Sequence, residues 1–148
     1  MVKLKLNREQ LYTLCKFTNP VVQEARIIHC IEWQNYSEMD MLFNLIQIGE
    51  AVSKKYLFTV KSKYSISLKY AEAASLLSHT YTLEQSLDQL SYEHNVMLIL
   101  RQELHFQITN FQRRFYGQTN RQNLLTGANQ STGGALTNTA RYIGGGAD

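Results

Sequence analysis

The chain has 148 residues, 44% of them hydrophobic and 18% charged, which is the composition of one folded domain rather than of a disordered protein. The formal charge of +3 does not require a polyanionic partner, and the segment Met1–Leu6 is too short and too polar for a signal peptide. The longest wholly apolar run, Val96–Leu100, falls far below the roughly 20 residues that span a bilayer, so we expect neither a transmembrane segment nor a membrane partner.

The N-terminal part of the chain predicts a short strand and two helices. Apolar residues and lysines alternate over 2–6, which is the period of a half-buried edge strand. Asn7 and Gln10 have the spacing of a capping box, which starts a short helix that ends at Asn19-Pro20. Because proline suits the first turn of a helix, a second helix begins there. Its apolar residues cover more than one stripe, so we expect it to pack on two sides.

A third helix and a β-hairpin follow in the sequence. Ser37 and Asp40 form a predicted N-cap, and one apolar face continues from there to near Lys54. Between residues 56 and 68 the apolar residues fall on alternate positions, with a turn at 61–63. We interpret this segment as a β-hairpin or as one bent strand.

The longest predicted element is a helix over 82–116, which follows a fourth helix over 70–81 and ends at Gly117. Alternating steps of four and three residues along it form a heptad seam. The seam packs either against its own domain or against another protein, and we favour a second copy for part of its length. The candidate interface residues are Leu83, Leu87, Leu90, Met97, Leu104, Ile108, Phe111 and Phe115.

The composition changes at Gly117, and seven of the eight glycines lie from there to Asp148. Such a segment buries too little apolar area to fold alone, so we predict a flexible tail over 117–148. Tails of this kind become ordered when they lie along a neighbouring subunit, as arms do in large particles. The candidate docking residues of the tail are Leu124, Leu125, Leu136, Tyr142 and Ile143.

These patterns together predict a mainly α fold. We expect a helical bundle built on the long C-terminal helix, with a small β-hairpin and a flexible C-terminal tail. The predicted domain spans 1–116, with the hairpin near 56–68.

The residues that carry chemistry do not form a recognisable catalytic or metal site. His94 and His105 are separated by roughly 16 Å along one predicted helix, too far to share a metal ion. Cys15 and Cys30 lie in helical, apolar segments, where reduced and packed thiols are usual. We therefore predict no enzyme activity and no metal or cofactor, and an intracellular location, either cytoplasmic or inside an assembled particle.

A basic stretch is the best indication of another function. Lysines neutralise phosphates and aromatic rings stack on bases, so this stretch suggests a nucleic-acid surface. The same lysines also suit a solvated strand edge that resists aggregation, with the aromatic residues in the core, and this is the interpretation we favour. The residues concerned, with no acidic residue between them, are Lys54, Lys55, Lys61, Lys63, Lys69 and Tyr64.

Our leading functional hypothesis is a non-enzymatic structural or assembly subunit that binds other protein subunits, itself or a larger assembly, through the long helix and the tail. A virion or phage particle component is its most specific form. The alternative is a nucleic-acid-binding accessory protein. The third hypothesis is a small enzyme or regulator whose site assembles only in three dimensions.

Overall fold

The computed structural model describes the backbone of residues 1–139 and the side chains of residues 1–118, 121, 122 and 125. The chain divides into two units, Met1–Thr109 and Asn110–Asp148. The predicted fold class is confirmed, because the chain forms a mainly α bundle with a small antiparallel sheet. In chain order the elements are β1 (Val2–Leu6), α1 (Arg8–Phe17), α2 (Pro20–Glu32), a 3-10 turn (Tyr36–Glu38), α3 (Met39–Phe58), β2 (Tyr64–Leu68), α4 (Tyr70–Glu84) and α5 (Tyr92–Thr139).

The first two helices begin where their local signals predict. The Gln10 backbone N–H donates to Asn7 Oδ1 at 2.8 Å, and the Asn7 N–H donates back to Gln10 Oε1 at 2.9 Å, which completes the capping box. The Val21 N–H donates to the side chain of Asn19 at 3.0 Å, with Pro20 in the first turn of α2. Side-chain oxygens therefore satisfy backbone donors that a helix start leaves free.

The two-stranded sheet pairs β1 with β2, so that Val2 lies opposite Leu68 and Leu6 lies opposite Tyr64. The location predicted for the hairpin, near 56–68, is corrected: the second strand lies there, but its partner is the predicted N-terminal strand. Residues 56–58 form the last turn of α3, because the Thr59 N–H donates to the Lys55 carbonyl at 3.1 Å and continues the helical pattern. Alternate residues of both strands are buried, and the lysines of β1 and the serines of β2 face solvent.

The predicted helix over 82–116 is interrupted. α4 continues to Glu84, and α5 begins only at Tyr92. In the break, the Leu90 N–H donates to Asp88 Oδ1 at 3.0 Å, and the His94 N–H donates to Ser91 Oγ at 3.1 Å. Short polar side chains compete with the helical backbone in this way, which explains a break that the heptad spacing does not reveal.

At its other end, α5 continues to Thr139, past the stop predicted at Gly117. Gly117 does not adopt a positive φ. Gly117, Gly127, Gly133 and Gly134 all lie inside this helix, and each costs about 1 kcal/mol relative to alanine, so the backbone here is helical against its own composition. The predicted tail therefore begins within a helix, and residues 140–148 lie outside the described part of the chain.

The core of the first unit is drawn from both strands and from the inner faces of its helices. Its fully buried side chains are large and aliphatic in most cases, as expected for a close-packed interior. They include Leu4, Leu11, Leu14, Leu42, Leu45, Ile48, Leu76, Met97, Leu100 and Leu104.

Candidate functional site

The predicted heptad seam divides into core and surface. Met97, Leu104 and Ile108 lie in the core of the first unit, so these three interface predictions are corrected. Their own domain already covers them, and a partner could reach them only if that core opened. Leu83 and Leu87 are partly buried against the same core. The middle section of the heptad seam therefore packs against the core of its own chain and not against a second protein.

The other candidates of the seam and tail lie on the surface or outside the described side chains. Leu90 is 92% exposed in the break before α5. In the second unit, Phe111 and Phe115 are exposed and their rings stack with centroids 6.5 Å apart. Leu125 is exposed as well. The side chains of Leu124 and Leu136, and the residues Tyr142 and Ile143, lie outside the described part of the structure.

Helix α2 presents exposed apolar side chains, whereas the middle of the heptad seam is buried. One face of α2 is buried through Gln23, Ile27 and Cys30. The other large apolar residues of α2, which we expected to be packed as well, are at least half exposed in the described part of the chain. On the groove side of the helix Val21, Val22 and Trp33 are exposed, and we call these three residues the α2 strip. Ile28 and Ile31 are exposed as well, but they do not line the groove.

A groove of about 570 Å³ lies along the α2 strip. Val21, Val22, Ala25 and Trp33 supply its apolar lining. Its polar lining residues are Arg26, His29, Asn35 and Glu38, with the thiol residue Cys30.

The end of α2 shapes the groove. Gln34 takes a left-handed backbone conformation with φ of 55°. The Asn35 N–H donates to the Cys30 carbonyl at 2.8 Å and the Gln34 N–H to the Ile31 carbonyl at 3.2 Å, which is a Schellman motif. The chain therefore reverses directly after Trp33. The returning segment brings Glu38 within 3.6 Å of Arg26, so the two charges at the groove compensate each other.

A network of polar side chains connects α2 to the end of α1 and to α4. Both His79 Nε2 and Gln23 Nε2 lie at hydrogen-bond distance from the Phe17 carbonyl, at 2.8 Å and 3.3 Å. Arg26 donates to Gln23 Oε1 at 3.0 Å and lies 3.5 Å from His79 Nδ1. Because the guanidinium is always a donor, His79 Nδ1 must accept, and the proton belongs on Nε2. Burial lowers the pKa of His79 and the charge of Arg26 lowers it further, against the opposing effect of the bond to Phe17, so the ring is neutral at pH 7.

We expect this histidine to make stability depend on pH. The pKa of His79 is lower in the folded state than in the unfolded chain, so the unfolded chain binds more protons below about pH 6.5. The contribution of His79 to the free energy of unfolding is therefore full above that pH and is lost as the pH falls through the folded pKa. His79→Gln keeps a donor for Phe17 but does not titrate, so urea unfolding at about pH 7.5 and about pH 5.5 should show a smaller difference than in the wild type. The exposed His105→Gln is the control and should keep the wild-type difference. An unchanged difference in His79→Gln would contradict this role.

The predicted nucleic-acid residues are brought together only in part. Lys54, Lys55, Lys61, Lys63 and Lys69 are exposed, as expected of a solvated surface. Tyr64 is only 4% exposed, so it cannot stack on a base, and this prediction is corrected. Its position at the first residue of β2 points the ring into the core.

Sequence reasoning missed two members of the basic surface. Pairing of β1 with β2 places Lys3 opposite Ser67 and Lys5 opposite Ser65, so both lysines share the solvent face of the sheet with β2. Lys55 Nζ donates to the Ser65 carbonyl at 2.6 Å, which ties the end of α3 to the same face. The alternation over 2–6 indicated exposed lysines, but only the strand pairing shows what they lie beside.

Both cysteines are free thiols. Cys30 is buried, and burial raises the pKa of Cys15, which therefore stays protonated at neutral pH. Among the described side chains, no group of three or more His, Cys, Asp or Glu residues could hold a metal ion. Nor does any helix in the described residues combine the length and apolarity needed to cross a membrane. No protein-family model matches this chain, and no curated protein or solved structure shows significant similarity to it.

Proposed function

We propose that the protein is a non-enzymatic assembly subunit that pairs with another protein subunit through the α2 strip. The observation that carries this proposal is the α2 strip, whose apolar residues the sequence marks for burial and which stay at least half exposed in the described part of the chain. Trp33 and Val21 are each 72% exposed at its two ends. Contiguous exposed apolar patches of this kind are typical of protein–protein contact sites.

The residue types of the α2 strip suit a binding surface. Tryptophan contributes large contact area and is enriched among the residues that dominate binding energy. Arg26 and Glu38 compensate each other within the chain, so the groove favours an apolar partner surface over a charged one. The partner that we propose is a second copy, since two-fold pairs of identical surfaces are the commonest oligomers.

Fluorescence of the single tryptophan tests this proposal directly. If Trp33 is buried by pairing, its emission should shift to shorter wavelength as protein concentration increases. Replacing Val21 and Val22 by glutamine should abolish this shift without lowering the melting temperature, because both side chains are exposed. Leu90→Gln, on an exposed residue outside the strip, is the matched control and should keep the shift. Emission typical of exposed tryptophan at every concentration would contradict self-pairing.

Two other hypotheses stay predictions. A virion or phage particle is one setting in which such a subunit would work. The nucleic-acid alternative keeps its lysines but loses Tyr64 as a stacking residue.

A further inference from the structure

Three apolar side chains stand in solvent beside the lysines. Leu57 and Phe58 end α3, and Val60 follows two residues later. They are 70%, 84% and 85% exposed, respectively. Three such residues within four positions form a concentrated apolar tip on an otherwise basic surface.

The hydroxyl of Tyr64 holds this tip in place. Tyr64 Oη donates to the Thr59 carbonyl at 2.8 Å and accepts from the Lys61 N–H at 3.1 Å. Arg8 Nη1 donates to the same oxygen at 3.2 Å. Because the peptide groups on both sides of Val60 are tied to one buried ring, the loop presents Val60 outward without further ordering. Binding through this loop therefore does not carry the entropic cost of fixing a flexible segment.

The charge around the tip is uniformly positive along the chain. From residue 51 to residue 71 there are five lysines and no aspartate or glutamate. Among the described side chains, none of these lysines takes part in an ion pair. Lys3 and Lys5 extend the surface, and Glu103 lines the same groove as these two lysines. Glu72 lies at the other margin, where it accepts from the Lys69 N–H.

We infer that residues 57–63 form an anchor for the surface of an anionic membrane. Leu57, Phe58 and Val60 enter the boundary between headgroups and acyl chains, and the surrounding lysines bind lipid phosphates. Leucine and valine do not stack on bases, so the tip fits lipid better than nucleic acid. Binding at the membrane surface needs no spanning helix. The expectation of no membrane partner rested only on the lack of a spanning segment, and this inference replaces it. This inference is independent of pairing through the α2 strip.

Vesicle binding tests the anchor. The protein should sediment with phosphatidylcholine vesicles that contain phosphatidylglycerol and not with phosphatidylcholine alone. One lysine near an anionic surface contributes about fivefold to binding, so Lys61→Glu with Lys63→Glu should weaken it at least about twentyfold. Replacing Leu57, Phe58 and Val60 by glutamine should weaken it about tenfold or more. All five side chains are exposed, so both variants should keep the wild-type melting temperature.

The controls separate the membrane from other anions. Arg113→Glu with Arg114→Glu makes the same change in net charge on exposed residues outside 57–63, so vesicle binding should stay within about twofold if residues 57–63, and not net charge, decide it. In a Trp33→Phe background, Phe58→Trp should show blue-shifted emission on anionic vesicles. Binding to a labelled single-stranded oligonucleotide but not to vesicles would overturn the inference in favour of nucleic acid. Binding to neither probe, or vesicle binding without the blue shift, would also overturn it.

Discussion

Replacing Leu104 by alanine is expected to lower the free energy of unfolding by about 3 kcal/mol, within the 2–5 kcal/mol typical of buried leucines. Leu104 is fully buried in the core of the first unit, on the same helix as the buried Met97 and Leu100. Removing three carbons there costs the transfer free energy and leaves a cavity that a close-packed core fills only in part. Urea unfolding monitored by circular dichroism measures the loss.

Leu90→Ala makes the same chemical change on a side chain that is 92% exposed and should alter stability by no more than about 0.5 kcal/mol. The comparison also tests whether Leu104 of the heptad seam packs in the core or forms an interface with a second protein. If Leu104→Ala lowered the mass in solution and left the unfolding free energy unchanged, Leu104 would belong to an interface, and its place in the core would be wrong.

Gly49→Ala is expected to destabilise the fold by about 1–3 kcal/mol, although alanine is the better helix former. Gly49 is a buried residue of α3. An added Cβ would overlap the carbonyl oxygen of Thr18 and lie 3.1 Å from Pro20 Cδ. Both belong to the junction between α1 and α2, so backbone rather than a flexible side chain would have to move.

Gly117→Ala is the matched control, because among the described residues a Cβ at Gly117 would meet nothing within 4 Å beyond its own helix backbone and chain neighbours. There the substitution should be neutral or stabilising by up to about 1 kcal/mol, since it only removes the helix penalty of glycine. Urea unfolding of both variants measures the contrast. A Gly49→Ala protein as stable as the wild type would show that the helices are not in close contact at this point.

The parts of the fold that could be predicted have local signals. The capping box at Asn7, the cap and proline at Asn19-Pro20 and the alternation over 2–6 each lie within a few residues of the structure they start. The main errors arose where a strand pairs with a distant segment of the chain, and where side chains compete with the helical backbone for hydrogen bonds. The partner of β2 lies about 60 residues earlier in the chain, so alternation over 56–68 could only suggest a local hairpin. The break before α5 depends on Asp88 and Ser91 bonding to their own backbone, against an uninterrupted heptad spacing.

The residue types of the candidate site could be predicted, but the exposure of the apolar residues on α2 could not. Periodicity revealed more than one apolar stripe on α2, but only the packing shows that the α2 strip with Trp33 is exposed. The alternation over 64–68, by contrast, predicts Tyr64 in the core and the flanking lysines in solvent, and both are found there. The polar place of Arg101 in the seam is explained by donation to the Thr80 carbonyl at 2.7 Å and to Glu84 at 3.0 Å, both on α4.

The mass in solution, measured by light scattering over a range of concentrations, tests pairing through the α2 strip most directly. We expect the wild-type chain to approach twice its mass of 17.1 kDa as concentration increases. Trp33→Gln should stay at 17.1 kDa with an unchanged circular dichroism spectrum, because Trp33 lies outside the core. A wild-type mass of 17.1 kDa at every concentration, or a Trp33→Gln protein that still pairs, would contradict the proposal.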